Sequence, residues 1–191
     1  YDPWYCWVDG DDRSSFDEVV DAVSQFVRDK GGILAGESMG GLIATAAALK
    51  LSDAKKLDNL RGVVLVNPAT SYDRTPWPLG GRLVSSAEGV AYAGAIGAAV
   101  GLLASDGSMV SKSLQEFSSL DFSGLERAVN GAQALADLVP PETLKHRVEN
   151  WLDGGCSKTN ERLWRLRRTG RSSKFLVICG EDDRFLPSKD E

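Results

Sequence analysis

At 191 residues the chain has the length of one ordinary domain, and a 42% hydrophobic share is enough for a substantial core. A formal charge of −5, with no stretch dominated by Lys or Arg, argues against nucleic acid as a partner. The cysteines Cys6, Cys156 and Cys179 are too few and too scattered for a disulfide framework or a zinc site, so no metal or cofactor is expected and a reducing compartment is the default.

In chain order, residues 4–8 read as a short strand, and Asp9-Gly10-Asp11-Asp12 as a polar loop. Three acids so close could suggest calcium, but the sixth loop position is not glycine and no closing glutamate stands twelve residues from Asp9, so a solvated turn is the expectation. Ser15 followed by Glu18 is a capping-box pattern. Phe16, Val19, Val20, Val23, Phe26 and Val27 then share one helical face, and the helix should stop near Lys30 at Gly31-Gly32.

Next comes a short apolar run, 32–35, then Gly36-Glu37-Ser38-Met39-Gly40, then an Ala-rich helical run, 41–51. A serine with a glycine two residues away on each side, between a buried strand and a helix, is what a nucleophile elbow requires. The turn is tight enough that Gly36 and Gly40 are expected to supply positions without a Cβ. Ser38 would stand with its hydroxyl exposed, and the backbone N–H of Met39 would face the oxygen that becomes negative during acyl transfer.

The β-branched run 62–66 suits a parallel strand covered on both faces. The stretch 67–74 leaves its carboxyl end, the edge where open α/β sheets bind ligands, so Asn67, Thr70 and Ser71 are expected to border the site. From 79 to 152 the pattern is helical without a strand. The predicted organisation is therefore a hydrolase-like α/β core over 1–78, a helical cap or lid over 79–152, and the core resumed over 153–191. The uncharged stretch 90–104 is too short to span a bilayer; it reads as a buried cap helix or as a lid lining an acyl-chain tunnel or resting on a lipid surface.

Helices are expected over 142–152 and 160–168. The group Arg162, Arg165, Arg167, Arg168 and Arg171, with Trp164, reads either as a solvated face or as a patch for a phospholipid headgroup or an acidic carrier. Residues 174–179 form the last predicted strand.

Serine needs a histidine to take its proton, and the histidine needs a carboxylate to orient and stabilise it. In this fold class the order is serine, acid, histidine. Asp183, just past the last strand, takes the acid's place, with Asp182 as its neighbour. The single histidine, His146, precedes the acid among charged neighbours and reads as a surface residue. The chain begins at Tyr1 and stops at Glu191, eight residues after Asp183, so both ends are expected to be cuts through a larger protein that holds the triad histidine and the second oxyanion donor.

Three segments, Gly36-Glu37-Ser38-Met39-Gly40-Gly41, Val64-Leu65-Val66-Asn67-Pro68-Ala69-Thr70-Ser71-Tyr72-Asp73-Arg74 and Gly180-Glu181-Asp182-Asp183-Arg184-Phe185-Leu186-Pro187-Ser188, resemble the plant and algal phytyl ester synthase family of esterase/lipase/thioesterase-like acyltransferases in wording, order and spacing. The stretch Pro140-Pro141-Glu142-Thr143-Leu144 resembles it too. The resemblance implies an α/β-hydrolase domain in plastids, at plastoglobules and thylakoids, moving fatty acyl groups onto phytol and diacylglycerol. It implies acyl-CoA, acyl carrier protein or galactolipid as donor, Ser38 as nucleophile and Asp183 as triad acid. A lipase or lysophospholipase sharing the first half-reaction, and a non-catalytic domain that only binds a lipid or a partner protein, are the alternatives.

Overall fold

A helix begins at Phe16 because Ser15 satisfies its orphan amides. Extended at φ −67° and ψ 159°, Ser15 accepts from Glu18 N–H at 3.3 Å, while Glu18 Oε2 accepts from Ser15 N–H at 2.8 Å. This helix, α1 (Phe16–Lys30), ends where Gly31 turns left-handed at φ 69°. It buries Phe16, Val19, Val20, Ser24 and Val27. Phe26 lies on the flank, 40% exposed, with its ring tilted against Trp4 at 5.7 Å.

The computed structural model describes residues 3–6, 9–75, 77–104, 130, 133–134, 136–137, 139–168 and 175–180. Of the strand expected over 4–8, residues 4–6 are not in a strand, and residues 7 and 8 lie outside the described residues. Trp4 and Tyr5 are 70% and 87% exposed, and a strand needs a paired neighbour that none of the described residues provides.

After α1 the chain alternates strand and helix: β1 (Gly32–Ser38), α2 (Met39–Asp53) and β2 (Leu60–Pro68), with β3 (Phe175–Ile178) closing a parallel sheet in the order β1-β2-β3. The register aligns Leu34 with Val63 and Phe175, and Glu37 with Val66 and Ile178. Side chains alternate between faces along each strand. On one face Leu34, Val63 and Leu65 meet Val27, Ala44, Ala48 and Leu51 from α1 and α2. The small residues of α2 let it lie close on the sheet, as its composition predicts. The other face leaves Ile33, Leu176 and Ile178 about half exposed.

β2 leads into a 3₁₀ turn, Ala69–Arg74, followed by α3 (Trp77–Ser85) and α4 (Gly89–Ala104). Later come α5 (Pro141–His146), a π-helical turn Arg147–Asp153 and α6 (Gly154–Arg168). Two compact units result: one of 1–8, 13–78 and 146–191, the other of 9–12 and 79–145. On the π turn Trp151, 1% exposed, belongs to the cluster of Phe16 and Leu42. The 9–12 loop belongs to the second unit, where Gly10 O accepts from Thr143 Oγ1.

The second unit packs Tyr92, Ala93 and Ala136 with Val84, Ile96 and Leu144. Among the described residues no helix is long and apolar enough to cross a membrane. Burial first, and the Glu142 carboxylate second, push the Tyr92 phenol above its usual range. The raised value means that Tyr92 stabilises the fold fully below the unfolded phenol's pKa of about 10 and ceases to do so as pH rises through the folded value. Unfolding of wild type and Tyr92→Phe followed from pH 7 to 11 should therefore show a larger alkaline loss in the wild type.

The expected break between helices over 153–159 is absent because Gly155 serves packing. A Cβ there would lie 2.9 Å from three carbons of the Phe16 ring, whereas one on Gly154 would meet nothing nearer than Glu149 O at 3.8 Å. In urea unfolding, Gly155→Ala should cost about 1–3 kcal/mol, while Gly154→Ala should be neutral or stabilise by up to about 1 kcal/mol.

Candidate active site

The three strands run parallel, so their carboxyl ends share one edge, marked by Ser38, by Asn67-Pro68 and by Cys179-Gly180. At that edge β1 turns into α2 without a connecting loop. The turn is closed by backbone: a Cβ on Gly36 would lie 2.3 Å from Gly40 O and 2.7 Å from Gly41 N. A Cβ on Gly41 would lie 2.8 Å from Pro68 Cβ. Gly40 differs from its expected role, since a Cβ there meets nothing within 4 Å. Its carbonyl, not its missing side chain, is what crowds Gly36, and the side-chain-free position on the helix is Gly41.

The turn takes up the strain at Ser38, whose φ of 50° and ψ of −120° is a left-handed conformation that L residues seldom adopt. Ser38 is also the N-cap of α2, yet its side chain makes no capping bond, in contrast to Ser15. The hydroxyl is exposed and available for other chemistry. Met39 follows as the first residue of α2, its side chain packed against the Phe16–Leu42 cluster. Its N–H is one of the four at a helix start that have no intrahelical partner, and no acid in the first turn offsets the positive end of the helix dipole. An oxyanion forming beside Ser38 would meet that end of α2.

Asn67 stands in the same edge. Glu37 pairs with Val66 but Ser38 pairs with Pro68, so Asn67 is the extra residue of a bulge. At φ 39° it is left-handed, and its Oδ1 accepts from Gly180 N–H at 2.7 Å. Thr70 and Ser71, expected beside it, are buried under α6. Thr70 O accepts from Asn160 Nδ2 at 2.7 Å and from the Cys156 thiol at 3.1 Å, so the 3₁₀ turn is tied to α6. Sequence reading missed this clamp because its partners lie 86 to 90 residues away.

Asp182 and Asp183 lie outside the described residues, as do Arg171 and the side chains of Arg165, Arg167 and Arg168. Arg162 pairs with Asp53 at 2.7 Å. His146 is half-buried rather than a free surface side chain: Nε2–H donates to Ser14 O at 3.0 Å, and Nδ1 accepts from Asn150 Nδ2 at 3.2 Å. Trp151 Nε1–H donates to the same carbonyl at 2.9 Å, so both side chains tie the start of α1 to the π turn. Among the described residues no group of three His, Cys, Asp or Glu side chains could hold a metal ion. A cleft of about 290 Å³ between α1, α2 and α6, lined by Phe16, Val20, Ala46, Lys158 and Arg162, includes no residue of the Ser38 turn.

A left-handed serine between a parallel strand and a helix, at the carboxyl edge of the sheet, is the nucleophile-elbow arrangement of α/β-hydrolase folds. Residues 2–191 match the model of the alpha/beta hydrolase family, and the chain belongs to that family. Neither a curated protein nor a solved structure matches it.

The contacts at the turn separate its glycines. Gly36→Ala and Gly41→Ala should each lower urea stability by about 1–3 kcal/mol, because backbone has to move, whereas Gly40→Ala should be neutral or slightly stabilising.

Proposed function

We propose that the chain carries out acyl transfer through an acyl-enzyme on Ser38, moving a fatty acyl group from a donor ester or thioester to a lipophilic alcohol. The observation that carries this reading is the exposed, left-handed Ser38 at the first turn of α2, with its hydroxyl outside the helix cap. Membership of a hydrolase family is consistent with either hydrolysis or acyl transfer. In the first half-reaction Ser38 Oγ attacks the carbonyl carbon as a base takes its proton, and the donor's alcohol or thiol leaves with a proton. In the second, the acceptor hydroxyl attacks the acyl-serine and the serine oxygen regains its proton.

On this reading Met39 N–H is one oxyanion donor and Asp183 the acid. Support for Asp183 is its place in the chain, three residues beyond Gly180, which sits at the edge occupied by Ser38. His146 is not the base, since both ring nitrogens are engaged away from the turn. The base is a histidine supplied from outside residues 1–191. The motif resemblance supports phytol and diacylglycerol as acceptors, acyl-CoA, acyl carrier protein or galactolipid as donors, and a plastid lipid surface as the working place.

A second reading, a lipase-type hydrolase, shares every residue named and differs in whether water or alcohol reaches the acyl-serine. The whole gene product incubated with labelled acyl donor and phytol should yield phytyl ester, and Ser38→Ala should lower the yield by at least about 10³-fold while leaving the fold intact. Free fatty acid as the sole product would establish the hydrolase reading in its place.

A further inference from the structure

We propose that Asn67 is a positioning residue that sets where the chain leaves the sheet, at Gly180, on its way to Asp183. The inference rests on the reading of Ser38 and Asp183 as nucleophile and acid. Among the described residues three non-glycines have positive φ, Ser38, Lys55 and Asn67, and two of them stand together at the carboxyl edge. Asn67 is strained twice over. It is left-handed, and it precedes Pro68, a placement that ordinarily forces extended backbone. Strain of this kind persists only where the surroundings hold it, and the bulge supplies that hold. Glu37 pairs with Val66 and Ser38 with Pro68, so Asn67 is extruded from the ladder between the two.

The extrusion turns the side chain of Asn67 along the edge, where Oδ1 accepts from Gly180 N–H at 2.7 Å. Gly180 lies two residues past the last paired residue of β3, beyond the reach of the β2–β3 ladder, and the bond ties the exit of β3 to the strand whose end pairs with Ser38. The chain then continues through Glu181 and Asp182 to Asp183. Backbone conformation and hydrogen-bond acceptor are two separable properties of this one residue. Glycine keeps the first and loses the second; aspartate keeps both.

The test is the rate at which a fluorophosphonate labels the whole gene product, measured against pH beside urea unfolding. Asn67→Gly should label about 10- to 100-fold more slowly with its urea midpoint near wild type. The acid limb of its pH profile should move to lower pH, because a histidinium without a placed carboxylate ionises more readily. Asn67→Asp should recover most of the rate. Labelling of Asn67→Gly at the wild-type rate overturns the proposal, as does an Asn67→Asp no faster than Asn67→Gly. A loss of rate that merely tracks a lowered midpoint, with an unmoved pH profile, marks a plain structural role and also overturns it. Label that survives Ser38→Ala overturns the Ser38 reading itself, a result distinguishable from all of these.

Discussion

The structure depends on a contact between backbones with nothing in between. Gly36, two residues before the end of β1, lies directly against the carbonyl of Gly40 and the amide of Gly41, and a methyl group at Gly36 would overlap them. Because helix and strand touch there, the chain reverses within the residues between them, and Ser38 takes the left-handed conformation that this demands. The same closeness brings the first turn of α2 onto Pro68, so the end of β2 becomes the floor beneath the turn. Exposure of the serine and nearness of the helix dipole are both consequences of that one approach.

The rest of the first unit braces it. Leu42, Ala46 and Ala47 of α2 pack with Phe16, Val20 and Trp151, which anchors the helix that bears Ser38 at its start. Trp151 and His146 both donate to Ser14 O, fixing α1 at its capped end. Cys156 and Asn160 hold the turn after β2. The start of α2 and the turn after β2 are thus braced by α1, the π turn and α6.

What was legible in the sequence is what is local. Ser15 and Glu18 are three residues apart, and the capping box formed as read. The elbow was legible because strand, Gly-x-Ser-x-Gly and Ala-rich helix are contiguous, and α2 starts one residue after Ser38. Local signals misled where a distant partner decides. The aromatic run at residue 4 looks like a strand but has no described neighbour to pair with. Residues 153–159 look like a break between helices, but Gly155 there is the slot for the Phe16 ring. The Gly-x-Ser-x-Gly spacing points to Gly40 for a clearance that belongs to Gly41; the adjacent glycine pair is the available signal, but only the position of Pro68 tells the two apart. Nothing near Asn67 in sequence announces a bond to Gly180, 113 residues on.

Identifying the atom that a serine-reactive reagent modifies tests the central claim most directly. Lys30 and Lys50 bracket the turn, so trypsin releases residues 31–50 as one peptide. After treatment of the whole gene product with a fluorophosphonate, fragment mass spectrometry should place a single adduct on Ser38 of that peptide. An unmodified 31–50 peptide beside an adduct on another serine, or no adduct on a folded and otherwise active protein, would contradict the account.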